Sequence, residues 1–192
     1  ASAEETEEEQ IIICEVEDRR DKYSKTYLKS DGSFVCINSG VALHTWDDST
    51  EKWLEIDNSL VSKAGSVENG DSDISVKLPE YLSQANALSV SDKDQHSRLT
   101  LKLRGITYSK AQKESKSKKR LTNNKISKMS VEEILNCATS TGSVTYSNAL
   151  SNTDLKYDVI GDTIKESIII KTKPKQSVSY TYDIGTDLIG VL

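Results

Sequence analysis

The chain is short of the residues on which ready-made functional signatures rest. Its three cysteines, Cys14, Cys36 and Cys137, are odd in number, widely spaced and form no C-x-x-C pair, so neither a disulfide framework nor a zinc knuckle is implied. The two histidines, His44 and His96, occur without an H-E-x-x-H, and no G-x-S-x-G is present, which removes the common zinc-hydrolase and serine-hydrolase signatures. Nine glycines make neither a G-x-G-x-x-G nor a G-K-[ST], so the backbone cradle of nucleotide enzymes is missing. Apolar runs such as Ile168-Ile169-Ile170 are strand-sized, well below the ~18 residues of a membrane span. A basic start followed by an apolar stretch is also lacking. Ala1-Ser2-Ala3 ahead of a run of acids fits the remnant of a signal cleavage and an engineered start equally well. With 30 acidic and 25 basic side chains the net charge is −5, which repels phosphate backbones and argues against nucleic acid as a partner.

What is present is β texture. The 192 residues include 27 serines, 15 threonines and only two prolines, a polar composition long enough for one domain or two small ones. Glu4, Glu5, Glu7, Glu8 and Glu9 stand without a base, so residues 1–14 read as a flexible acidic tail leading into a first strand at Ile11–Cys14. Glu15 to Lys22 is charged enough for a helical turn. Asp31-Gly32 between Lys25–Lys29 and Phe34–Asn38 predicts a hairpin, because Asp-Gly supplies the positive φ of a tight turn. A second hairpin is expected from Val41–Trp46 and Lys52–Ile56 around Asp47-Asp48-Ser49-Thr50, bringing the two tryptophans together. Period-2 alternation recurs at Ile74-Val76-Leu78, Leu99-Leu101-Leu103, Leu155-Tyr157-Val159 and Val178-Tyr180-Tyr182-Ile184. Gly161-Asp162 turns the chain into a strand over Ile164–Lys171. Ten or more short strands of this kind predict a mostly β fold, an antiparallel two-sheet β-sandwich.

The centre breaks the pattern. Over residues 109–128, eight Lys or Arg stand against the single acid Glu114, a local charge of +7 with almost no apolar side chains. Residues 15–192 therefore read as one β-sandwich domain interrupted by a long basic linker at 109–129. Ser130 and Glu133 have capping-box spacing, which predicts a short helix from about Val131 to Cys137.

Candidate chemistry is sparse, and no catalytic residue or cofactor is implied. Cys36, within Phe34-Val35-Cys36-Ile37, reads as a small hydrophobe of an apolar strand. His44 reads as structural and His96 as part of a solvated turn. Asp71 and Asp73 are weak calcium candidates: they lack the loop and terminal Glu of an EF-hand, and turn chemistry is the simpler account of them. Trp53, Tyr180 and Tyr182 are expected in the core, leaving Trp46 as the candidate sugar-stacking platform. Lys116, Lys118, Lys119 and Arg120 could lie against anionic wall polymers, and could also simply keep an exposed linker soluble. A glycosidase would need two carboxylates converging in a cleft, which spacing alone does not establish.

Three stretches carry a resemblance. Arg19 to Val35, with Lys-Thr-Tyr-Leu-Lys-Ser-Asp-Gly-Ser-Phe at its centre, is followed by Val41-Ala42-Leu43-His44 and then Trp53-Leu54-Glu55-Ile56-Asp57-Asn58-Ser59-Leu60. These resemble the N-terminal region of large secreted, wall-associated YD-repeat (RHS-like) proteins of Gram-positive bacteria. Val144-Thr145-Tyr146, Asn152 to Val159 and Lys165 to Ile170 are similar to that region's second signature. The resemblance covers about 16–60 and 143–171 in the same order, and Cys36 departs from it where a plain apolar residue is expected. It implies a β-rich module, secreted or at the cell surface, at the front of a longer protein. Its partners would be other domains of the same chain and possibly a cell-wall glycan or anionic polymer. It transfers no catalytic residue. The apolar, strand-like finish at Ile184–Leu192 is read as a trimmed end.

Overall fold

The computed structural model describes residues 11–116, 123–129, 133–134 and 140–187. In chain order the strands are β1 (Ile12–Glu15), β2 (Ser24–Lys29), β3 (Phe34–Asn38), β4 (His44–Asp47), β5 (Lys52–Glu55), β6 (Val61–Lys63), β7 (Ser66–Glu68) and β8 (Ile74–Pro79). They continue with β9 (Tyr81–Leu82), β10 (Leu88–Asp92), β11 (Arg98–Leu103), β12 (Ser109–Lys116), β13 (Thr141–Leu150), β14 (Thr153–Ile160), β15 (Thr163–Ile170) and β16 (Tyr182–Thr186). A 3-10 turn spans Glu17–Arg19, and a four-residue helix, α1, spans Asn123–Ile126. Among the described residues the fold is mostly β, with four antiparallel sheets.

Two of those sheets form the sandwich. The six-stranded sheet runs β16-β11-β10-β8-β7-β6 and the five-stranded sheet β15-β14-β13-β12-β9. Their inner faces share one core, in which Leu60, Val67, Val76, Leu78, Leu88 and Leu103 meet Val144, Tyr146, Leu155, Tyr157 and Val159. The alternation read from the sequence is the cause: in β14, Leu155, Tyr157 and Val159 are buried while Lys156 and Asp158 lie on the other face. Tyr146 also ties the sheets together, its buried hydroxyl donating to the Pro79 carbonyl at 2.5 Å. The edge strand β16 departs from expectation. Tyr180 and Tyr182 pack against the core as predicted, but Ile184 is 67% exposed and Val178 is exposed as well.

The other two sheets come from the N-terminal quarter. β1-β2-β3 is a three-stranded sheet whose hairpin turns at Gly32 (φ +80°), with the Asp31 carboxylate accepting from the Ser33 amide at 2.9 Å. Ile12, Tyr27, Ile37, Ile126 and Ile134 form a second, smaller core against this sheet. β4-β5 sets Trp46 opposite Trp53 with their rings edge to face, 5.3 Å apart. Trp53 is half-buried, not enclosed as expected. Cys36 is exposed, which corrects its placement as a core hydrophobe: in β3 the inward position is Ile37, so Cys36 faces the opposite side with Phe34.

The basic linker also requires correction. Its first eight residues are β12, paired with β13 from Ala111↔Tyr146 to Lys116↔Thr141 and with β9 at its start. Backbone ladders do not require apolar side chains. Here the hydroxyls of Ser109 and Ser115 bond the Ser147 carbonyl and the Leu60 amide, fixing the strand without large apolar groups. The expected helix at 131–137 is described only at Glu133–Ile134, both helical; its capping residue Ser130 and the remainder lie outside the described residues.

A polar seam joins the small sheets to the sandwich. Asn58, completely buried, donates its backbone amide to the Ser140 hydroxyl oxygen at 2.8 Å, and its side chain donates to the Gly161 carbonyl at 3.0 Å and accepts from Asn69 at 3.3 Å. Lys22 bridges Asp73 and Asp162 at 2.9 and 3.1 Å. Asn58→Ala leaves those buried partners unsatisfied and is expected to cost about 1–3 kcal/mol in urea melts; an unchanged midpoint would show that water replaces the amide.

Candidate functional site

The densest titratable cluster lies where β1, β2, β4 and β5 converge. Glu15 ends β1, Lys25 lies in β2, and the register of β4-β5 sets His44 directly opposite Glu55. Arg20, just after the 3-10 turn, forks onto Glu15 through Nε–Oε1 at 2.8 Å and Nη2–Oε2 at 3.1 Å. The Lys25 ammonium donates to Glu55 and stands 3.9 Å from Glu15. Its side chain is only 3% exposed, a burial that a charged lysine tolerates only when paired.

His44 is completely buried. Its Nδ1 lies 2.7 Å from the Asp21 carbonyl oxygen. Since a carbonyl only accepts, Nδ1 carries the proton, and in the neutral ring Nε2 is left with a lone pair. That Nε2 has no hydrogen-bond partner. Burial pushes the His44 pKa down to about 4; the bond to Asp21 opposes this, and the charges of Lys25 and Arg20 add to it. A ring nitrogen of His44 and carboxylate oxygens of Glu15 and Glu55 lie within 4.8 Å of one another, the one group of three or more potential metal ligands among the described residues.

The depressed His44 pKa fixes the sign of a pH effect. An unfolded histidine titrates near 6.5, so between that pH and about 4 the unfolded chain takes up a proton that the folded chain refuses. His44's contribution is complete above about pH 6.5, is lost as pH falls towards 4, and amounts to about 3 kcal/mol at most. Urea melts in EDTA are expected to show falling stability from pH 7 to 5, a slope absent in His44→Gln. Equal stability at pH 7 and 5 in the parent would contradict a buried neutral imidazole.

The residues singled out from the sequence do not gather here. Trp46 is 38% exposed, two residues beyond His44 in β4 and on the same face of that strand. Asp73 is engaged by the Thr45 hydroxyl and Lys22; burial alone would raise its pKa, but those hydrogen bonds outweigh it and hold the carboxyl below its ordinary value. Asp71 is exposed, and its backbone carbonyl receives the Asp57 amide. Lys116 ends β12, while Lys118, Lys119 and Arg120 lie outside the described residues. His96 is exposed. Sequence pattern alone does not mark Glu15, Arg20, Lys25 and Glu55 as a cluster. The available signal was Lys25, two residues before the apolar Tyr27 and therefore on its buried face. Compared with known proteins, the chain matches no family model, no curated protein and no solved structure.

Proposed function

We propose that the chain is a non-enzymatic extracellular module, structural and interacting, forming the N-terminal part of a larger bacterial cell-surface protein. The observation that carries this reading is how its acids are used. Glu15 holds Arg20, Glu55 holds Lys25, Asp73 and Asp162 hold Lys22, and Glu166 accepts the hydroxyls of Tyr157 and Tyr182. Carboxyls with displaced titration, such as Asp73, Asp158 and Glu68, are displaced downward, whereas a general acid at neutral pH needs the opposite. The residues carrying the resemblance to YD-repeat proteins have structural places: Ile56, Leu155 and Tyr157 are buried, Asn58 is the seam's hub, and Asp154 accepts the Asn148 amide. Incubation with peptidoglycan and teichoic acid is expected to release no soluble fragments; sustained turnover would defeat the proposal.

A second reading, a carbohydrate- or wall-polymer-binding surface, draws on exposed aromatics. Tyr81 and Tyr108 stack at 5.2 Å with Lys110 over the Tyr81 ring, Tyr108 is 70% exposed, and Trp46 lies on Trp53. Calorimetric titration with wall glycans tests it: binding lost in Tyr108→Ala or Trp46→Ala supports a stacking platform, and flat titrations dismiss it.

A further inference from the structure

The buried cluster at β1, β2, β4 and β5 contains one polar atom that its protein surroundings leave unsatisfied. His44 Nε2 has no hydrogen-bond partner although the ring is fully buried, a situation that ordinarily costs about 1–3 kcal/mol. The rest of the ring is oriented as a metal ligand would be. Its Nδ1–H donates to the Asp21 carbonyl, the second hydrogen bond that sets tautomer and ring angle in metal-bound histidines. Glu15 is oriented in turn by the Arg20 fork. Glu55 faces His44 across the β4-β5 ladder, and a ring nitrogen of His44 stands within 4.8 Å of carboxylate oxygens of Glu15 and Glu55.

We propose that Glu15, His44 and Glu55 bind a first-row divalent transition metal, with Nε2 and one oxygen of each carboxylate as ligands. An imidazole nitrogen beside two carboxylates suits Zn2+ and its neighbours, while Ca2+ and Mg2+ take oxygen shells. Bond lengths of about 2.0–2.2 Å bring tetrahedral donors to roughly 3.4 Å from each other, a contraction that rotation of the two long glutamate side chains supplies. Lys25 is the competitor. Its ammonium is paired with Glu55 and stands 3.9 Å from Glu15, so the metal competes with it for the Glu55 carboxylate while Glu15 remains within its reach. Such a site clasps the end of β1 to the β4-β5 hairpin, joining two sheets that share no ladder.

The test is calorimetric titration of the full chain with Zn2+, with Cys14, Cys36 and Cys137 replaced by Ser so that thiolates cannot take the ion. One saturable site per chain is expected. His44→Gln is expected to weaken it by more than about 100-fold, beyond the loss typical of an outer-shell partner, and Lys25→Gln to tighten it about tenfold by removing the competing charge. Because both changes fall in a buried cluster, the parent protein is also measured directly. Zn2+ is expected to shift the 15N resonance of His44 Nε2 while the Nδ1 proton persists. No saturable Zn2+ site, Zn2+ binding unaffected by His44→Gln in a folded variant, an Nε2 resonance that does not move, or equal binding of Ca2+ would each overturn the proposal.

Discussion

Replacing Tyr157 by Ala is expected to destabilise the protein by about 3–5 kcal/mol, the range for deleting a buried aromatic side chain. Tyr157 lies in the middle of β14 with its ring inside the sandwich core, set edge to face against Tyr146 at 6.1 Å. Its hydroxyl donates to Glu166 at 2.5 Å, and Tyr182 donates to the other oxygen of the same carboxylate at 2.7 Å. Burial, reinforced by the Glu166 carboxylate, raises the Tyr157 pKa well beyond its ordinary value, so the phenol stays a donor across the working pH range. Tyr157→Phe separates the two contributions. It keeps the ring and removes one hydrogen bond to a charged group, and is expected to cost about 1.5–3 kcal/mol. The measurement is the urea midpoint at constant slope. If Tyr157→Ala barely moves that midpoint, the two large sheets do not share the core described.

Gly161→Ala is the second large effect, about 2–5 kcal/mol. Gly161 turns β14 into β15 with φ +58°, the left-handed region that costs a side-chain-bearing residue about 1–2 kcal/mol. A Cβ there would stand 2.6 Å from the Ala42 carbonyl oxygen and 2.9 Å from the Ala42 nitrogen. Backbone atoms cannot rotate aside, so overpacking adds about 1–3 kcal/mol. The Gly161 carbonyl also accepts from Asn58 and Ser72, so any shift of the turn disturbs the seam. Gly32→Ala is the internal control: φ is +80° and a Cβ would meet nothing within 4 Å, leaving conformational strain alone. Equal losses in the two variants, read from urea melts, would show that the Ala42 contact contributes nothing.

The sequence made the sandwich legible where large apolar side chains alternate with polar ones, as at Ile74-Val76-Leu78 and Leu155-Tyr157-Val159, and where Asp31-Gly32 announces a turn. It concealed β12 because Ser109, Ala111 and Ser115 are small and its lysines dominate the composition; the strand is fixed by hydroxyl bonds to residues distant in the chain. An unbroken apolar run such as Phe34–Ile37 does not say which alternate residues face inward; Ile37 does and Cys36 does not. The buried cluster was hidden for a related reason. Lys25 and Glu55 are 30 residues apart, and a charge read alone is assumed to be solvated. Only the convergence of β1, β2, β4 and β5 turns those charges into a buried site around His44.

The central claim, that this chain is a front module of a large bacterial surface protein, is tested most directly by fractionating the native host. Secreted, wall and cytosolic fractions are probed on a denaturing blot with antibody raised against this domain. A single band far heavier than 21.3 kDa in the wall or medium is expected. A band near 21 kDa confined to the cytosol would contradict it.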